Sequence, residues 1–150
     1  FDISFKVADG RTFKFSYTGT VDGMEIPEGG EVEGDITWTT FKARKWYSDN
    51  WAFTIAEAES KYTLALDMRT GDSSLNYIPS GLYTIGTSGQ YIDSNYSTFN
   101  DSKSAYKAVS LELTYHEDTK TYDVKFDVTL TDDRQFSGSY SGVVEGSPQE

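Results

Sequence analysis

Four aromatic side chains, Trp46, Tyr47, Tyr91 and Tyr96, stand among serine, threonine, asparagine, glycine and basic residues, away from the apolar phase of any alternating run. A flat ring with a polar edge in such a setting can stack on a sugar or fill a partner's pocket. These four are therefore the candidate ligand-binding residues, and the ligand-binding reading expects Trp46, Tyr91 and Tyr96 to be exposed on one side. The competing reading folds them back as lids over the ends of a β structure. Other chemistry is thin. The one histidine, His116, sits at the turn end of an expected strand, and there are no cysteines. A Ser-His-Asp triad, a Cys-His pair or a multi-histidine zinc site therefore lacks its parts at recognisable spacing. No Gly-x-Ser-x-Gly elbow and no glycine-rich turn leading into a helix occurs. No catalytic residue, cofactor or metal is assigned, and the expectation is a protein that is not an enzyme. The 24 acidic residues guarantee that some carboxylate pair stands at the roughly 5–9 Å a glycosidase needs. Asp67, Glu112 and Asp127, however, fall on the solvent faces of expected strands, where charge serves solubility.

Whatever positions these residues is β structure, because apolar residues recur at every second position along most of the chain and no long stretch has helical period. Ile3-Phe5-Val7 and Phe13-Phe15-Tyr17 flank an Asp9-Gly10 turn signal. Residues 22–34, with Pro27, four glycines and several glutamates, read as a solvated loop leading to Val32, Ile36 and Trp38 on one strand face. Residues 41–50 read as a loop or a single helical turn. Trp51-Phe53-Ile55, Tyr62-Leu64-Leu66-Met68, Val109-Leu111-Leu113-Tyr115 and Tyr122-Val124-Phe126-Val128-Leu130 are strands with one apolar face each. Pro79 lacks a backbone donor and belongs ahead of the short strand at Leu82–Ile85. Between Gly86 and Ser104 runs a long polar connection, with room for short edge strands inside it.

The chain uses one pattern twice. Over Asp9–Gly23 and Asp132–Gly146, 8 of 15 positions are identical: Asp9/Asp132, Arg11/Arg134, Phe13/Phe136, Ser16/Ser139, Tyr17/Tyr140, Gly19/Gly142, Val21/Val144 and Gly23/Gly146. Each copy follows an alternating strand, so related hairpins are expected at 2–23 and 125–146. At 150 residues the chain suits a single β-domain able to bury a core without staples. The expected fold is all-β: an antiparallel sandwich of about 9–10 strands, weighed against a lipocalin-like closed barrel. The net charge of −11 argues against nucleic acid and anionic membrane surfaces as partners. No apolar run is long enough for a transmembrane helix.

The Ile78-Pro79-Ser80-Gly81-Leu82-Tyr83-Thr84 segment, the Tyr122–Leu130 strand and the closing Asp-Asp-Arg-x-Phe-x-Gly-Ser-Tyr-Ser-Gly resemble the repeated β-domains of uncharacterised surface lipoproteins of gut bacteria. The likeness covers roughly Lys61–Gly146, and its motifs are structural. It implies a cell-surface, outer-membrane or secreted location and a lipid anchor upstream, and it carries over no site residue. The expected function is a non-catalytic binding module for a glycan or an envelope protein. A structural or assembly domain is the alternative, and a carboxylate-based hydrolase comes third.

Overall fold

The computed structural model describes residues 36–148 apart from Ser60 and Ser104, together with the backbone of two strands at 2–6 and 12–16. The expected Asp9-Gly10 turn, the 22–34 loop, Val32 and the Phe13 ring lie outside the described residues. Two compact units are present, Phe1–Val32 and Glu33–Glu150. In the first, β1 (Asp2–Lys6) pairs antiparallel with β2 (Thr12–Ser16) in a two-stranded sheet of their own.

The second unit is a β-sandwich. Its five-stranded sheet runs β3 (Trp38–Tyr47), β4 (Asn50–Glu57), β5 (Thr63–Arg69), β7 (Tyr91–Phe99), β8 (Ser102–Lys103). Its four-stranded sheet runs β11 (Gln135–Gly142), β10 (Thr121–Leu130), β9 (Tyr106–His116), β6 (Gly81–Thr84). Every strand ladder is antiparallel. The chain builds β3–β5 as a meander, crosses to the other sheet for β6, returns for β7 and β8, and ends in the β9–β11 meander. Among the described residues there is no helix, hence none long and apolar enough to cross a membrane.

Period-two burial explains the packing. Phe53, Ile55, Leu64, Leu66 and Met68 from one sheet meet Leu111, Leu113, Val124, Phe126 and Val128 from the other, all buried in one core. At one corner Trp38 reaches across: its indole N–H donates to the Ser137 carbonyl (3.0 Å), and its ring meets Phe126 edge-on at 5.3 Å. Gly138 makes room, since a Cβ there would come within 2.8 Å of both rings. Beyond β11 the chain crosses to β3. Ala43 N donates to Glu145 O (2.7 Å), Glu145 N donates to Phe41 O (3.0 Å), and the Lys42–Glu145 bridge is parallel. A second parallel bridge, Ile85–Ile92, ties the end of β6 to β7. One isolated bridge at each corner joins the sheets without a continuous ladder, so the body is a sandwich and not a closed barrel.

Two segments depart from expectation. Residues 41–50 are neither loop nor helical turn: they continue β3 into a tight Ser48-Asp49 reversal, with Ser48 at φ 50°. Alternation fails there because Lys45 takes an inward position. Its ammonium lies 5.9 Å from the centre of the buried Trp51 ring and donates to the carbonyls of Ser73 (2.9 Å) and Leu75 (2.6 Å). The polar connection after Gly86 contains the nine-residue β7. Its apolar signal is only Ile92 and Phe99, because β7 bulges between Asp93 and Thr98 and places a buried serine, Ser97, inward. That hydroxyl accepts from Asp67 N (3.0 Å) and donates to Asp93 O (2.8 Å), so its burial leaves no unmet hydrogen bond. Ile36 lies just ahead of β3 and packs against the core.

Candidate functional site

The outer face of the five-stranded sheet gathers the candidate aromatics. Cross-strand register places Arg44, Ala52, Asp67 and Asp93 in one row and Tyr47, Asn50, Arg69 and Tyr91 in the next. Arg44 and Trp46 share this face, with the Arg44 guanidinium 4.3 Å from the Trp46 ring centre. Trp46 is 55% exposed, Tyr47 63% and Tyr96 67%, while Tyr91 is half-buried. None of the four is a lid on the core. The expectation that they sit in irregular loops is corrected: Trp46 and Tyr47 are on β3, and Tyr91 and Tyr96 on β7, where Tyr96 rides the bulge. Register thus brings Tyr47 and Tyr91 to opposite ends of a shared row, with Trp46 beside them; Tyr96, inside the bulge, has no partner across β5. From β3 to β7 the platform is three inter-strand spacings wide, about 14 Å. Its floor is low because Ala52, Thr54 and Ala65 are small.

The polar groups here hold one another. Arg69 donates to the Tyr47 hydroxyl (3.3 Å) and to Asp49 Oδ1 (3.3 Å), which fixes the Tyr47 ring. The Asn50 amide donates to Asp67 Oδ1 at 2.8 Å. Asp67 is not the freely solvated carboxylate that its strand position suggested. Burial raises its pKa above the ordinary carboxylate value, Asp93 across the strand adds to that, and Asn50 and Arg69 partly offset it. Because the native state then binds the Asp67 proton more tightly than the unfolded chain does, this group's contribution to stability declines as pH rises from about 4 upward. Asp67→Asn, which keeps an oxygen for Asn50, is expected to raise the melting temperature at pH 7 and to lose that advantage near pH 3. A melting curve at each pH checks it, and equal shifts at both would refute the assignment.

The outer face of the four-stranded sheet bears a shallow depression of about 430 Å³ floored by Glu112, Thr114, Asp123, Lys125, Ser139 and Ser141. Two of these, Ser141 and Asp123, form a serine-aspartate-histidine group with His116. Ser141 donates to Asp123 Oδ1 (2.6 Å), and His116 Nε2 lies 2.8 Å from Asp123 Oδ2. The Ser141 and His116 bonds hold the Asp123 carboxyl below its usual range. The carboxylate, and not the imidazole, is the middle member. The serine proton therefore faces a weakened base, the reverse of the order that activates a nucleophile. Among the described residues no group of three or more His, Cys, Asp or Glu side chains is placed to hold a metal ion.

Sequence reasoning missed Asp67 and Asp93 as neighbours. Their pairing depends on the β5–β7 register, which no local pattern encodes. Comparison with protein-family models, characterised proteins and solved structures finds no match.

Proposed function

We propose that this protein is a non-catalytic binding module whose ligand, a carbohydrate chain, lies across the outer face of the five-stranded sheet. The observation that carries the reading is the convergence of Trp46, Tyr47 and Tyr91 on one sheet face, with Asn50 and Arg69 between the two tyrosines and the small Ala52, Thr54 and Ala65 in the rows alongside. Exposed aromatic rings held on rigid strands lose little entropy on binding, and their faces suit the apolar faces of sugar rings. A platform about 14 Å wide suits a short oligosaccharide better than a single sugar. Charges of both signs interleave there, Arg44 and Arg69 with Asp49, Asp67 and Asp93, which favours an uncharged ligand whose hydroxyls can both donate and accept. A cell-surface or secreted location, with a lipid anchor upstream, rests on the likeness of the closing motif to surface lipoprotein domains.

A glycan array identifies the ligand, and calorimetry with Trp46→Ala tests the site. The variant is expected to bind roughly tenfold or more weakly, a loss typical of a central aromatic contact, with an unchanged melting temperature because the ring is exposed. Undiminished affinity in Trp46→Ala would remove the platform from the binding site.

A further inference from the structure

The two copies of the hairpin agree in more than residue type. Matched positions differ by 132 − 9 = 123 in number. Adding that offset to the β1–β2 pairs turns Asp2↔Ser16, Ile3↔Phe15 and Phe5↔Phe13 into Lys125↔Ser139, Phe126↔Gly138 and Val128↔Phe136, all of them observed pairs of β10 and β11. The two remaining β1–β2 pairs map equally well. Register and turn length are therefore shared.

Half of the identical positions lie where β11 and its continuation seal the sandwich. Tyr140 stacks on Phe41 of β3 at 4.1 Å and donates to the Val143 carbonyl at 2.8 Å. Gly142 leaves space for the Tyr140 hydroxyl, which a Cβ would approach to 2.6 Å. Val144 is buried, and Gly146, at φ 82°, passes against the Ala43 carbonyl. Their counterparts are Tyr17, Gly19, Val21 and Gly23. What the first copy retains is thus the set of residues that seats a closing hairpin on a β3-like strand.

The β3 of residues 36–148 already holds Glu145. The residue types at the matched seat positions also differ in size. Gly138, which yields to Trp38 and Phe126, is matched by Phe15, and Phe126 by the smaller Ile3. A two-stranded hairpin is at best marginally stable alone and needs the rest of a sheet. We infer that residues 2–23 are the closing hairpin of a second sandwich of the same build, standing N-terminal to this one, whose β3-like strand carries a small residue at the place of Trp38. The protein is then a link in a tandem series of such sandwiches, each sealed by the hairpin at its own end.

Tyr17→Ala and Tyr140→Ala in the present chain separate this from a single body closed by both hairpins. Tyr140→Ala is expected to lower the melting temperature of the sandwich by several degrees, and Tyr17→Ala to leave it unchanged. A comparable drop from Tyr17→Ala overturns the inference. Interchangeability is tested by grafting the sequence of 2–23 in place of 125–146. The direct graft is expected to melt lower than the parent because Phe15 meets Trp38, and the graft carrying Phe15→Gly to regain a cooperative transition. Absence of that transition, or its survival undiminished when Tyr17→Ala is added, overturns the equivalence. A dimer that grows with protein concentration in the present chain would instead mean that hairpins are exchanged between chains, and it too overturns the tandem arrangement.

Discussion

Gly146→Ala is expected to cost about 3 kcal/mol or more, a loss of about 10 °C in melting temperature for a sandwich of this size. Two effects add. At φ 82° an alanine adopts a backbone conformation that disfavours any Cβ by about 1–2 kcal/mol. The new methyl group would also be driven into the Ala43 carbonyl, which is backbone and cannot swing away. Relief requires the chain after β11 to lift from β3, breaking the bonds between Glu145 and the Phe41 and Ala43 peptides. Gly89→Ala isolates the first effect, because Gly89 has φ 72° but nothing near its Cβ position. Thermal unfolding followed by circular dichroism should show a loss for Gly89→Ala a fraction of that for Gly146→Ala. Equal losses would mean that the approach to Ala43 contributes nothing.

Trp51→Ala is the second large effect, with an expected cost of about 4 kcal/mol. Trp51 is fully buried on the inner face of β4, in register with Met68, and Lys45 lies 5.9 Å from its ring centre. Removing the ring leaves a cavity that rigid neighbouring strands cannot fill. Trp51→Phe should cost much less. The indole N–H is buried and finds no hydrogen-bond partner among the described residues, so its loss removes a desolvation penalty together with some packing. Denaturant midpoints at constant slope would measure both; a phenylalanine variant as unstable as the alanine one would show that the indole N–H is satisfied.

These effects lie in parts of the molecule that differ in how far the sequence declares them. Along β9 and β10 every inward position from Val109 to Leu113 and from Tyr122 to Leu130 is apolar and buried, so strand, face and turn are all legible. β3 and β7 are not, because Lys45 and Ser97 take inward positions, and both are tolerable only through carbonyls and amides contributed by distant segments. The same holds for the candidate site. That Trp46, Tyr47 and Tyr96 stand off the apolar phase of the strands is readable from their polar neighbours, but that they are exposed instead of folded back as lids is not; nor is the shared row of Tyr47 and Tyr91, because it follows from the pairing of β3, β4, β5 and β7. The duplicated motif is plain in the sequence. Only the coordinates show that several of its shared residues, Phe136, Tyr140 and Gly146 among them, touch β3.

The seam between β3 and the chain following β11 is parallel, so the sandwich is entered at one end of that seam and left at the other. Tension applied between entry and exit therefore slides the two segments lengthwise, and the hydrogen bonds on either side of Glu145 resist together instead of peeling open in turn. In a series of such bodies pulled end to end, the force needed to rupture each one is set at this short seam.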